Sequence, residues 1–441
     1  MNPPAPPPPP GPPGPVPEPG AVPDTGDASA VLRRSGEVLR PALTLYLDLH
    51  RHPELSGHES RTARLFAERL AGSGCEVTGD VGGHGVVGVL RNGEGPRVYL
   101  RAELDALPLR ERTGLPYASG NDAMHACGHD LHLAAASGAV DLLARGTDHW
   151  RGTVVVVGQP AEETLTGARA MLRDGLYARF GRPDVVLAQH AAPLPSGMVA
   201  HGGGHGPVAA ASATLAVVLH GRGGHAATPH LTVDPVVTAA AVITRLQTVV
   251  SRETAPAEQV ALTVGSVRAG TAANVVPERA ELGVGVRAAT DEALERAVAA
   301  VERIVRAECA ASACPREPEV ALVSRSPALW GDPWATEAVR RAHTARYGPA
   351  RVGHWPPSMA AEDFPLFGDR GLSLHGEEGV PLVYWMVGVV GPGEWAGDSS
   401  PPPNHSPHFA PHVRTALPSA ISALATAALD RLGGPATRPG P

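Results

Sequence analysis

Cysteine is scarce: only four occur in 441 residues, at 75, 127, 309 and 314. So few thiols in so long a chain exclude a disulfide scaffold and make a reducing cytoplasm the expected compartment. No run of 18 or more apolar residues occurs, so no segment is expected to span a bilayer. Basic charge is not in excess either. The formal net charge of -7 gives neither nucleic acid nor an anionic membrane an electrostatic reason to bind. No Gly-x-Ser-x-Gly segment is present, so a serine nucleophile lacks its usual elbow. Residues 1–23 are dominated by proline with interspersed glycine, without the basic start and apolar stretch of a signal peptide. Residues 1–26 are therefore read as a disordered or polyproline II arm.

What remains fits a globular chain, with 43% hydrophobic and 18% charged residues. Its length exceeds what one core usually holds, so two domains are expected.

The chemistry concentrates in Met124-His125-Ala126-Cys127-Gly128-His129-Asp130-Leu131-His132. Cys127 and His129 are two apart, so in an extended loop both side chains emerge on one side, where a thiolate and a neutral imidazole can share a divalent ion. The same stretch also reads as a loop entering an alanine-rich helix, Leu131 to Ala144, with His125 and His132 as ordinary polar residues. Three β-branched runs tip the balance, because each ends in polar residues: Arg97 to Leu100 leads to Glu103 and Asp105, Thr153 to Val157 to Glu162 and Glu163, and Asp184 to Ala188 to Gln189 and His190. Helix-like segments separate them, as expected of parallel strands whose carboxyl ends meet at one edge, where ligands and chemistry collect.

Other candidates lose by context. Gly83 to Gly88 fits a dinucleotide pattern, but strand and turn follow where a helix should receive a pyrophosphate. The loop His201-Gly202-Gly203-Gly204-His205 reads as a hinge. Cys309 and Cys314 read as ordinary residues, since no histidine lies between or beside them. Asn404-His405-Ser406 matches a glycosylation sequon without the secretory context it needs.

Taken in order, eight segments resemble one family: Leu49 to Leu55, Arg101 to Pro108, Met124 to His132, Gln159 to Glu163, Gly223 to Ala226, Ala273 to Pro277, Met359 to Phe364 and His405 to Pro407. They are similar to M20-type metallopeptidases, in the amidohydrolase branch with hippurate hydrolases and plant auxin-conjugate hydrolases. The resemblance runs from about residue 40 to 430. It implies an α/β fold: a metallopeptidase-type catalytic domain with a mixed, largely parallel sheet, plus an inserted smaller α/β lid or dimerisation domain.

It also implies two divalent ions, zinc or manganese with cobalt as a third option, held by Cys127, His129, Glu163, His190 and His405, with Cys127 bridging. Two such ions can polarise an amide carbonyl and bring the pKa of a shared water to about 7. Glu162 and Glu163 are consecutive and so point in different directions, which suits Glu162 as general base and Glu163 as ligand. Asp105 is expected to orient a ligand or a bound water. The chain departs from the family pattern at Glu103, usually Asp, and at Gln189 and Asn404, where apolar residues are usual.

The expected metal-site residues occupy 105 to 190 and then 405, which leaves about 204–316 without ligands. That stretch reads as strand (Ala213 to Leu219), helix (Asp234 to Val250), two strands (Gln259 to Val267, Arg279 to Arg287) and helix (Asp291 to Glu308). The expected division is therefore catalytic at 27–203 and 317–434, with an inserted unit at 204–316, which the resemblance implies to be a lid that often forms a homodimer. By resemblance, His225 in the lid hydrogen-bonds a developing oxyanion, while Asn274 and Arg287 hold a carboxylate, which requires closure. The expected activity is hydrolysis of an N-acyl amino acid. A dipeptidase or carboxypeptidase of the same fold is the alternative, and a non-catalytic conjugate-binding protein is a third reading.

Overall fold

The computed structural model describes residues 27–202, 206–397 and 400–432. The proline-rich arm and positions 203–205 of the expected hinge lie outside the described residues.

The valine run of residues 154–157 lies in an interior strand of the larger sheet. Val154, Val155, Val156 and Val157 are all fully buried, because helices cover both faces. Eight strands make up this sheet: β1 (Glu76–Val81), β2 (Gly85–Asn92), β3 (Arg97–Glu103), β4 (Gly152–Gln159), β5 (Val185–Pro195), β6 (Val199–His201), β13 (Val352–His354) and β14 (Leu382–Val390), in the order β1-β2-β4-β3-β5-β14-β6-β13. The β3–β4, β3–β5 and β5–β14 pairings are parallel. β1, β2 and the β6–β14 contact are antiparallel, so the sheet is mixed. The Gly83 to Gly88 segment is the turn and start of β2.

One face is covered by helix His129–Arg145 packed against helices Ser35–Arg51 and Val413–Leu432. Small residues allow this closeness. A Cβ on Gly138 would stand 2.7 Å from Ile421 Cδ1 and 3.4 Å from Ala42 Cβ.

A second, antiparallel sheet is built from β7 (Ala211–His220), β9 (Val260–Ala269), β11 (Arg279–Ala288) and β12 (Glu319–Ser326), in the order β12-β7-β11-β9. Helices Pro235–Arg252 and Asp291–Ala311 contribute to its core. Both helices start where a side chain caps them, as Asp234 accepts the Val236 amide and Thr290 the Ala293 amide. A short ribbon pairs β8 (Gly224–His225) with β10 (Val275–Val276). The second sheet takes a strand from beyond residue 316, since β12 pairs with β7. That strand is at an edge with Leu322 and Val323 exposed, so its sequence lacks the alternation of a half-buried strand. Among the described residues no helix is long and apolar enough to cross a membrane.

Candidate metal centre and active site

The carboxyl ends of the parallel strands deliver the expected residues to one place. β3 leads to Asp105 and β4 to Glu162 and Glu163. His190 lies within β5 rather than past its end, because β5 continues alongside β14, where Met386 is opposite His190. β3 pairs with β5 only as far as Ala188, so His190 sits where the sheet opens on that side. Gly128 precedes helix His129–Arg145 at φ 87°, and a Cβ there would stand 2.8 Å from the Ala191 Cβ. Glycine therefore both turns the chain between Cys127 and His129 and lets β5 approach. His405 arrives on a loop at φ 66°, its amide donating to the Ala126 carbonyl at 2.8 Å.

The side chains converge. Cys127 Sγ lies 3.3 Å from His190 Nε2 and 3.3 Å from His405 Nε2. His129 Nε2 is 3.8 Å from Glu162 Oε2 and 3.9 Å from Glu163 Oε1, and Glu163 Oε2 is 3.6 Å from His405 Nε2. Cys127, His129 and His190 form one group of donor atoms within 4.8 Å of one another; Cys127, Glu163 and His405 form a second that shares the thiol.

This donor set fits a pair of divalent ions. His129 Nδ1 donates to the Asp105 carbonyl at 2.9 Å and His190 Nδ1 to the Ala191 carbonyl at 2.8 Å, so in each neutral ring the lone pair is on Nε2, the nitrogen that faces the other donors. His129 Nε2 and Glu163 Oε1 are buried without a hydrogen-bond partner. Burial, helped by His132 and His129, pushes the His190 imidazole down to about 3, so it is neutral and able to ligate. Burial pushes the Cys127 thiol up to about 12 and the Glu163 carboxyl up to about 7. Raised in this way the thiol keeps its proton and the carboxyl does so in part until a cation is beside them, and a metal would deprotonate both.

Several site residues carried no role in the sequence reading. Buried Arg101 donates to Glu103, to Glu362 Oε1 at 2.7 Å, to Asp363 Oδ1 at 3.0 Å and to Gln159 Oε1 at 2.9 Å. Glu362 Oε2 accepts from the Tyr384 hydroxyl at 2.9 Å, and Glu362 lines the same cavity as Glu162. The Met359 to Phe364 segment signalled Glu362, but nothing local indicates which of its polar residues faces the cavity. The departures have partners too. Glu103 reaches His132 Nδ1 at 2.7 Å, while His132 Nε2 accepts the Ala191 amide at 2.8 Å. Gln189 donates to the Ala420 carbonyl at 3.1 Å, and Asn404 donates to the carbonyls of Ala191 and Cys127 at 3.1 and 3.3 Å.

A cavity of about 430 Å³ opens on these groups, lined by Cys127, Glu162, Glu163, His190, Glu362 and His405 on one side and by Leu165, Val208, Trp355 and Met386 elsewhere. Arg287 also lines it, on the side of β11 opposite the buried Val284, Val286 and Ala288, and donates to the Met359 carbonyl at 2.6 Å. His225 and Asn274 do not line it. They are exposed on the β8–β10 ribbon and its approach, where the His225 ring accepts the Ala227 amide at 2.9 Å and the Asn274 carbonyl accepts the Ala226 amide.

Residues 99–430 match the model of peptidase family M20/M25/M40. The chain is 34% identical over 353 residues to the N-acetylcysteine deacetylase of Bacillus subtilis, covering 79% of this chain and 88% of that protein. It is 39% identical over 246 residues to the hippurate hydrolase of Campylobacter jejuni, covering 55% and 63%. A crystal structure of a dinuclear metal-binding peptidase of the M20 family from Bacillus subtilis superposes with a TM-score of 0.70 at 28% identity, over 90% of this chain and 99% of that one. With the mixed sheet, the separate antiparallel sheet and two donor groups sharing one thiol, these likenesses show that the chain belongs to peptidase family M20/M25/M40, metal-dependent hydrolases of amide bonds.

Proposed function

We propose that this protein hydrolyses the amide bond of N-acyl amino acids, releasing a carboxylic acid and a free amino acid. The observation that carries this is one cavity holding the metal-type donors, a buried carboxylate pair, apolar walls and Arg287. Cys127, His129, Glu163, His190 and His405 hold two divalent ions, zinc or manganese with cobalt as a third option. Bound there, the ions supply Lewis acidity toward the carbonyl and bring a water pKa to about 7. Glu162 takes the proton of the attacking water and delivers it to the leaving nitrogen. Burial, with Glu362 and Glu163 beside it, raises the Glu162 carboxyl well above the usual range, which suits a group that must keep a proton between two steps. Asp105 orients His129. The apolar walls take the acyl group, and the Arg287 guanidinium faces the substrate carboxylate with its planar fork.

His225 and Asn274 belong to this reading only if the inserted unit closes or a second copy presents them, with His225 at the oxyanion and Asn274 at the carboxylate. The inserted unit, read as residues 204–326 once β12 is counted, leaves Val237, Val267, Val275 and Val323 exposed, and a homodimer through it would cover apolar surface. Scarce cysteine supports a cytoplasmic location.

The test is a panel of hippurate, N-acetyl amino acids, indoleacetyl conjugates and unblocked dipeptides, offered to protein reconstituted with zinc or manganese, with Glu162→Ala alongside. We expect metal-dependent cleavage of the acylated substrates and a loss of about 10²- to 10⁴-fold in kcat in the variant. Preference for the unblocked dipeptides moves the assignment to a peptidase, and no turnover with two metals bound sinks the reading.

A further inference from the structure

Glu162 and Glu163 both approach His129, yet beyond it their partners differ: Glu163 groups with Cys127 and His405, Glu162 with Glu362 and Asp363. The turn that carries them contains Ala161 at φ 49°, a left-handed conformation that disfavours any residue with a Cβ. A strained turn persists only when its surroundings hold it. The Ala161 amide donates to Glu59 Oε1 at 2.9 Å, across 102 residues of sequence, and the same oxygen accepts the Gly57 amide at 2.8 Å.

Glu59 is a peculiar residue to bury. It is 0% exposed, no ion pair engages it among the described residues, and Oε2 has no hydrogen-bond partner. It precedes helix Ser60–Gly72, but its side chain makes no cap bond there, so helix capping does not explain it. Burying an uncompensated carboxylate is costly, and the contacts Glu59 does make are with two backbone amides, one of them in the catalytic turn. The rest of its segment braces the same site. The Ser56 hydroxyl donates to Asp105 Oδ2 at 2.7 Å, that oxygen also accepts the Glu163 amide at 2.9 Å, and the Glu54 carbonyl accepts the Ala106 amide at 2.8 Å.

We infer that Glu59 is a positioning residue for the amide hydrolysis: it holds Ala161 in the left-handed turn and so sets where Glu162 and Glu163 point. The inference rests on Glu162 as the base. Its first test is independent of activity and metal: hydrogen exchange in the peptide of residues 160–167, measured on the metal-free full chain. Glu59→Ala should exchange the Ala161 amide about tenfold faster or more, while Glu59→Gln, whose side-chain carbonyl still accepts both amides, should stay close to the parent. In metal-loaded enzyme acting on its best acylated substrate, Glu59→Ala should lose about 10- to 100-fold in kcat with KM within about threefold, and Glu59→Gln should recover most of it. Leu70→Ala, buried in the same helix and remote from the turn, supplies the control: Tm falls and kcat of the folded enzyme holds. Unchanged exchange in Glu59→Ala overturns the inference, as does faster exchange with unaltered kcat, or an equal kcat loss in Leu70→Ala. If the parent cleaves no acylated substrate, the proposed function fails by itself, and the exchange comparison still decides whether Glu59 holds the turn.

Discussion

At Gly128 one absent methyl group serves two purposes. The position combines φ 87° with a backbone so close to β5 that a Cβ would sit 2.8 Å from that of Ala191. Alanine there meets both a left-handed penalty and a collision between Cys127 and His129. We expect Gly128→Ala to release metal to a competing chelator with about 10- to 100-fold weaker affinity, a loss of the size found when groups supporting metal ligands are removed. Retention equal to the parent would show that the turn relaxes freely. The sequence reading reached Cys127, His129, Glu163, His190 and His405 because motif order carries identity. It assigned nothing to Arg101, Glu362 or Tyr384, whose network forms only when β3, β14 on the far side of β5, and the Met359 to Phe364 loop are brought together.

Among the elements, helix His129–Arg145 is buried from His129 to Leu143, sharing its core with two other helices through alanine and glycine. Gly138 has no room for a larger residue because Ile421 occupies it. Gly138→Leu should lower stability by about 1–3 kcal/mol through overpacking, read as an earlier urea midpoint at unchanged slope, with metal content of the folded protein preserved. A stability equal to the parent would mean that helix Val413–Leu432 can shift at little cost. Elements with strong local signals were legible: the valine run before Glu162, the helices expected at Asp234 to Val250 and Asp291 to Glu308, and the strand expected at Arg279 to Arg287. β12 was not, since an edge strand with exposed Leu322 and Val323 takes its place from pairing with β7 rather than from any pattern of its own.

For the molecule as a whole, buried imidazoles set a limit on the acid side. His343 Nε2 donates to the Ala423 carbonyl and His201 Nε2 to His343 Nδ1, each at 3.0 Å, tying β6, helix Pro333–Tyr347 and helix Val413–Leu432 together through neutral rings. Burial pushes His343 down to about 4 and, with His343 and Arg340 beside it, His201 well below the usual range. A histidine whose folded pKa is depressed contributes its full stability above the unfolded value of about 6.5 and loses it as pH falls through that value toward the folded one. Tm should therefore hold near neutrality and drop between about pH 6.5 and 4, each ring contributing a few kcal/mol at most. His343→Gln should flatten that slope, and an equally steep slope in the variant would place the sensitivity elsewhere.

By itself the sequence determined the fold class and the family, and it named five expected ligands, because periodicity within strands and the order of short motifs are local properties that survive without coordinates. Tertiary structure alone decided that His190 sits inside β5, that Arg287 lines the cavity while His225 and Asn274 stand apart from it, and that Glu59 reaches Ala161. Those facts depend on distances between residues far apart in the chain, which packing and backbone pairing set and no local pattern encodes.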